Sequence, residues 1–282
     1  MLSTAIASAA APHGGPVIAL RHARALARQG ARVHVVAPEV GAVPDARGVS
    51  IERYATSATR VPFPAWRHDA IAVDALAAAI ERHAPEVLYD VHGPAWAAEA
   101  AMRLGVPTVS MVGDFNAYCR RTFLVDTRER RCSGPENAGK CFACLNRDSA
   151  PRQRAIRAGL RNRFAAPILE RLFPPARLAP HRVWEALGES LGYAAEWRAR
   201  IDRFVVGDEH ARALLAGHGI DAARIAAIPQ GLPTAARVMR RGNLPGSGAP
   251  LAIGFVGRPH ADKGLHVLAR AFDALPAGKA EL

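Results

Sequence analysis

Three groups of residues in this chain have types and spacings that could do chemistry. The first is a cationic pair, Arg258 and Lys263, in the stretch GFVGRPHADKGLHVLARAF over 254–272. An apolar run precedes the pair and an amphipathic pattern follows it, so both cations fall in the turn between a strand and a helix. A guanidinium there can bind phosphate oxygens in a bidentate way, and a lysine ammonium adds a compact point charge. The helix start aims its N–H groups at the same place. Such preorganised positive charge stabilises a departing anionic group without a metal. The second group is Gly14 and Gly15 in the turn PHGGP, where the lack of side chains lets backbone come close to a bound phosphate or sugar.

The third group is four cysteines gathered within one short insert: Cys119, Cys132, Cys141 and Cys144. The half-site CFAC at 141–144 can supply two thiolates to a tetrahedral ion from a single turn. Arg130, Arg131 and Lys140 lie nearby and would favour the thiolate form. A structural zinc on all four thiolates is the favoured reading. Two disulfides, an iron–sulfur cluster and free thiols stay open beside it, the disulfides being disfavoured by a reducing compartment.

The elements that must position these groups alternate in type. A short strand over 2–8, the Gly/Pro turn, a helix over 17–30 capped by Gly30, and a strand over 31–38 form one βαβ unit. A helix over 70–84, a strand over 86–93 that leaves His92 at its carboxyl end, a helix over 94–105 and a strand over 106–114 continue it. This alternation predicts a parallel, doubly wound sheet. Gly14, Gly15, His92 and Asp114 would gather on the rim beyond the carboxyl ends of its strands, His92 and Asp114 being weak candidates for catalysis.

Residues 115–150 interrupt the rhythm with the polar, cysteine-bearing insert. Over 152–173 the apolar residues Ile156, Leu160, Phe164, Ile168 and Leu172 recur every fourth position among arginines. That is a basic amphipathic helix, with a kink expected at Pro167. A helix over 183–200, a strand leading to Asp208 as N-cap, a further helix and a strand over 224–231 complete a first domain, 1–231. Residues 232–250 read as a linker, and 251–282 as the start of a second sheet.

The net charge is +12, carried by 34 Arg and 3 Lys among 37 basic residues. Residues 120–182 hold 15 of these basic residues and 5 acidic ones, so most of the excess lies there. A basic surface confined to one segment suits an anionic partner, such as lipid head groups, a phosphorylated acceptor or nucleic acid. A solvated arginine-rich face is the plain alternative. No apolar run reaches the roughly 18 residues that a membrane span needs. The apolar N-terminus lacks the basic flank of a signal peptide, so it reads as a first strand and the protein as cytoplasmic, with peripheral contact to the inner face of an anionic membrane as an option.

Together these stretches resemble family 4 of the retaining glycosyltransferases. GFVGRPHADKGLHVLARAF resembles the strand, Gly-Arg turn, Lys-Gly and helix that open that family's C-terminal domain. PHGGP with GARVHVVAP resembles its Gly-rich loop and second strand, and RIDRFVVGDEHARALLAGHGIDAARIAAIPQGLP resembles its last N-domain strands. The resemblance implies an α/β, GT-B-like fold: a complete N-terminal Rossmann-like, acceptor-side domain and the first βα unit of a second Rossmann-like, donor-binding domain. It implies a nucleotide-diphosphate sugar as donor, held at Gly14, Gly15, Arg258 and Lys263, no catalytic metal, and a glycan or lipid-linked acceptor. A similar cysteine pattern occurs in a subset of that family.

Two departures stand out. Gly113 occupies the position where many members carry a His before Asp114. A Rossmann-like domain needs on the order of 120–150 residues, so 251–282 reads as a domain truncated early and the chain as inactive in sugar transfer, with the family's paired-glutamate motif beyond Leu282. The competing readings are a catalytically dead remnant and a four-thiolate zinc module binding an anionic partner such as nucleic acid. Few aromatics in the insert stand ready to stack on bases, which makes nucleic acid the weaker partner.

Overall fold

The structure is a computed structural model that describes residues 2–5, 14–38, 48–56, 67–91, 95–122, 124–128, 130–134, 137–147, 149–231, 250–257, 263–276 and 278–281. His92 and Arg258 lie outside the described residues. The chain divides into two compact units, Met1–Gln230 and Gly231–Leu282.

The first unit is built on β1 (Leu2–Ala5), α1 (Gly14–Arg28), β2 (Val33–Ala37), β3 (Val49–Arg53), α2 (Ala70–His83), β4 (Leu88–Val91), α3 (Trp96–Arg103) and β5 (Thr108–Val112). Four further helices follow: α4 (Ala138–Arg147), α5 (Pro151–Arg161), α6 (Ala165–Leu172) and α7 (Pro175–Leu178). The long α8 (Val183–Arg200), β6 (Arg203–Val206), α9 (Glu209–Gly217) and β7 (Ile225–Ala227) complete it. The seven strands form one parallel sheet in the order β3-β2-β1-β4-β5-β6-β7. Chain order reverses between β1 and β4, as in a Rossmann-like doubly wound sheet. Strand β3 has no counterpart in the sequence reading.

The sheet is buried on both faces, and adjacent residues of β2 show it. Val35 packs with Ala19 and Ala23 of α1 on one face, while Val36 belongs to the larger core with Leu76, Leu88, Trp96, Trp197 and Phe204 on the other. This is why its strands read as continuous apolar runs rather than alternating ones. Helix α2 begins at Asp69, whose carboxylate accepts the Ala72 amide at 3.1 Å and the Thr56 hydroxyl at 2.8 Å.

The basic helix expected over 152–173 is two helices, and the break is not at Pro167. It falls at Asn162, whose backbone is extended and whose Oδ1 accepts the amides of Phe164 (2.9 Å) and Ala165 (3.2 Å). Asn162 therefore ends α5 and satisfies the free donors at the start of α6. Pro167 sits in the first turn of α6, where its missing N–H costs no helical hydrogen bond.

In the second unit β8 (Leu251–Ala252) pairs in parallel with β9 (Ala280–Glu281), and α10 (Leu265–Asp273) lies between them in sequence. The strand expected to run on from Leu251 is shorter because its ladder ends where the Ile253 amide meets the Glu281 carbonyl at 2.8 Å. Leu251 and Val256 are exposed.

Candidate functional site

A parallel sheet with this strand order has its natural crevice outside the carboxyl ends of β1 and β4, where successive crossovers leave to opposite sides. Gly14 and Gly15 open α1 just after β1, and no acidic residue stands in that helix's first turn. Its N-terminal amides thus present positive potential to the crevice. Asp114 follows β5 directly. Its Oδ1 accepts the Asn116 amide (2.9 Å) and its Oδ2 the Asn116 side-chain amide (3.0 Å), so this carboxylate shapes the turn it stands in.

The sequence reading passed over Asp90. Thr4, Asp90 and Ser110 share one rung across β1, β4 and β5, and Asp90 is 1% exposed. The Ser110 hydroxyl lies 3.3 Å from Asp90 Oδ2. The carboxylate leaves its mark on the phenols around it. Burial first, then the charge of Asp90, pushes Tyr89 up to about 12, and the same causes push Tyr54 higher still. A carboxylate inside an otherwise apolar parallel strand was the available signal. Its place beside the strand-order reversal puts a buried carboxyl group beneath the crevice.

Residues 12–118 match Glycosyltransferase Family 4. The match takes in α1, β2, β4 and β5, of which α1 and β4 border the crevice, and leaves out β1. No curated protein sequence matches the chain. Among solved structures, Anabaena HepE in complex with UDP is similar over 98% of this chain and 58% of its own length, with 12% identity and a TM-score of 0.52. The HepE complex with UDP and glucose gives the same coverage at 13% identity and a TM-score of 0.51. The glycotransferase of kitacinnamycin covers 98% of this chain and 63% of its own length, with 17% identity and a TM-score of 0.46. The chain therefore has the α/β fold of the GT-B glycosyltransferases and spans 58% of the length of HepE.

In the second unit Lys263 stands immediately before α10. Gly264 caps that helix in the left-handed region (φ 72°), which a side chain would strain, and its first turn carries no acid.

The cysteine insert follows the matched residues, and there the structure both supports and corrects the sequence reading. All four cysteines line one cavity of about 280 Å³, together with Tyr118, Arg120 and Lys140. All four are free thiols in this structure. The structural zinc is not supported: among the described residues no group of three or more His, Cys, Asp or Glu is arranged to hold a metal ion. CFAC is not a turn but part of α4, where the two thiols are spaced along one helix face.

Two of the thiols are raised rather than activated by their surroundings. Burial, then the neighbouring thiols, pushes Cys141 up to about 11, and burial raises Cys144 as well. Two of the three nearby cations have other partners. Lys140 Nζ donates to Ser133 Oγ (2.7 Å) and to the Gly134 carbonyl (3.1 Å), and Arg130 holds Asp126 at 2.9 Å. A four-thiolate module for nucleic acid loses its metal core on the same grounds.

Glu99 of α3 shows the opposite behaviour. It accepts the Tyr193 hydroxyl (2.7 Å), an Arg103 guanidinium N–H (2.8 Å) and His68 Nδ1 (3.2 Å), with Arg200 at 3.5 Å. Burial works against its charge, yet the bonds from Tyr193 and His68 outweigh it and hold the carboxyl below its usual range. This network joins α3 to α8, and His68, Glu99, Tyr193 and Arg200 together line a cleft of about 510 Å³.

Proposed function

We propose that the chain works in transfer of a sugar from a nucleotide-diphosphate donor to a glycan or lipid-linked acceptor, with retention at the anomeric carbon. Gly14 and Gly15 at the start of α1 contribute the close backbone approach to the donor or acceptor. Lys263 and Arg258 neutralise the diphosphate as charge develops on the leaving oxygens. The observation that carries this reading is that the family 4 match includes α1 and β4, which border the crevice. The UDP held by HepE, a fold neighbour, makes UDP the first nucleotide to test.

Titration calorimetry with UDP and then with other nucleoside diphosphates tests the donor side. Saturable binding is expected, weakened by Lys263→Ala to the extent of a charge-assisted contact, about 1.5–3 kcal/mol. Incubation with a nucleotide-sugar panel and candidate glycans, read by NMR, gives the anomeric configuration of any product. Failure of every nucleoside diphosphate to bind, or an inverted anomer, would overturn the reading.

A further inference from the structure

Helix α6 exposes an apolar ridge. Phe164 (70% exposed), Ile168 (60%) and Leu172 (67%) recur every fourth residue and so project on one side of the helix. No residue of α6 is buried. Behind it, Ile156, Leu169, Phe173 and Leu178 line an apolar groove of about 800 Å³ between α5, α6 and α7, and the ridge residue Ile168 also reaches its rim. The helix is thus apolar on both its outer ridge and its inner side, with protein packed against the inner side alone.

The charge around the ridge is of one sign. Residues 151–182 contain eight arginines and a single acid, Glu170, which is bonded to Arg182. Some of these arginines fasten the helical hairpin to the domain. Arg157 donates to Asn146 Oδ1 and Ser149 Oγ, both at 2.8 Å, and Arg161 lies over the Trp184 ring at 4.1 Å. Arg152, Arg154, Arg163, Arg171 and Arg177 are exposed. Gly159 lets the two helices close up, since a Cβ there would stand 2.8 Å from Leu169 Cδ1.

We propose that the α5–α6 hairpin docks on the surface of an anionic lipid bilayer, with the Phe164–Ile168–Leu172 ridge entering the acyl boundary and the arginines meeting lipid phosphates. An apolar ridge with cations beside it is what lets a helix lie in the plane of a membrane interface. A second copy of the chain is a poor occupant, because pairing the ridges would bring two arginine clusters together. No helix among the described residues is long and apolar enough to cross a membrane, so the contact is peripheral. This inference stands independently of the sugar-transfer reading.

The test is co-sedimentation of the full chain with vesicles of pure phosphatidylcholine and of phosphatidylcholine with phosphatidylglycerol, over a salt series. Binding to the acidic vesicles alone, falling as salt rises, is expected. The triple substitution Phe164→Ser, Ile168→Ser and Leu172→Ser alters only exposed positions, and circular dichroism checks that it folds. It should weaken acidic-vesicle binding roughly tenfold or more, because apolar insertion and charge act together at interfaces. Arg152→Gln with Arg171→Gln and Arg177→Gln should weaken binding and flatten its salt dependence. In a separate Ile168→Trp variant, indole emission should shift to the blue on acidic vesicles and be quenched by brominated acyl chains. Equal binding to both vesicle types, or unchanged binding after the triple Ser substitution, would overturn the proposal. So would an Ile168→Trp signal that does not move. Dimerisation abolished by the triple substitution, without vesicle binding, would assign the ridge to a second copy instead. Capture of an acidic protein by the ridge, again without vesicle binding, would likewise count against the bilayer.

Discussion

Helices α3 and α6 have the same length, eight residues, and opposite fates. In α3, WAAEAAMR, every residue from Trp96 to Ala101 is buried. In α6, AAPILERL, none is. Side-chain hydrophobicity alone predicts the reverse, since α6 carries Ile168, Leu169 and Leu172 where α3 carries mostly alanine. Topology decides the matter. Helix α3 is the crossover between the parallel neighbours β4 and β5, so it must lie on the sheet, and alanines let it approach α2 and α8 closely. Helix α6 belongs to an excursion between β5 and α8 that the crossover does not require. An apolar helix freed from the sheet has to find its apolar environment elsewhere, which is why the ridge points to a function outside the core.

The largest effect that can break this comparison is a truncation on each helix. Trp96 is 2% exposed and its indole donates to the Arg67 carbonyl at 2.6 Å. Trp96→Ala should cost about 3–5 kcal/mol of unfolding free energy. Phe164→Ala, removing an equally aromatic side chain from α6, should stay within about 0.5 kcal/mol. Denaturant midpoints measure both. Equal costs would mean that α6 is part of the core after all.

A smaller effect separates the two helices' acids. Glu99→Gln on α3 keeps the shape but removes the charge that Tyr193, Arg103 and His68 bind, and should cost about 1.5–3 kcal/mol. Glu170→Gln on α6 loosens an exposed pair with Arg182 and should cost about 0–1 kcal/mol. The pH dependence has a definite sign. Because the folded Glu99 carboxyl sits below its unfolded value, its stabilisation is fully present above the usual carboxylate range and is lost as pH falls through the folded value. Acid titration of stability should therefore be steeper in the wild type than in Glu99→Gln. Parallel curves would take Glu99 out of the account.

The sequence disclosed the sheet more readily than the site. Strands β2 and β5 were legible because parallel strands are apolar on both faces and glycines mark the helix ends before them. Strand β3 was not, because VSIER is a short edge strand with two charges and only Val49 fully covered. Asp90 escaped notice because one carboxylate does not spoil an apolar run, and its meaning appears only when β1, β4 and β5 align. The convergence of the cysteines was legible from their density. Their chemistry was not, since CxxC spacing serves a helix face as well as a metal-binding turn. Two of the three local cations that suggested thiolates, Lys140 and Arg130, bond Ser133, Gly134 and Asp126.

The smallest effect concerns what separates α6 from α5 in the first place. Proline was the natural suspect in the sequence, but Pro167 stands in the first turn of α6, where a helix tolerates it. Asn162 instead ends α5 and bonds the amides of Phe164 and Ala165. Asn162→Ala removes that cap and replaces it with a strong helix former, so it should cost α6 about 1 kcal/mol of local stability. Global stability should hardly move, because no residue of α6 is fully buried. Pro167→Ala should leave the break where it is. Backbone chemical shifts across 160–168 report both outcomes. If Pro167→Ala straightens the segment and Asn162→Ala does not, the kink belongs to the proline and the ridge owes its direction to a different residue.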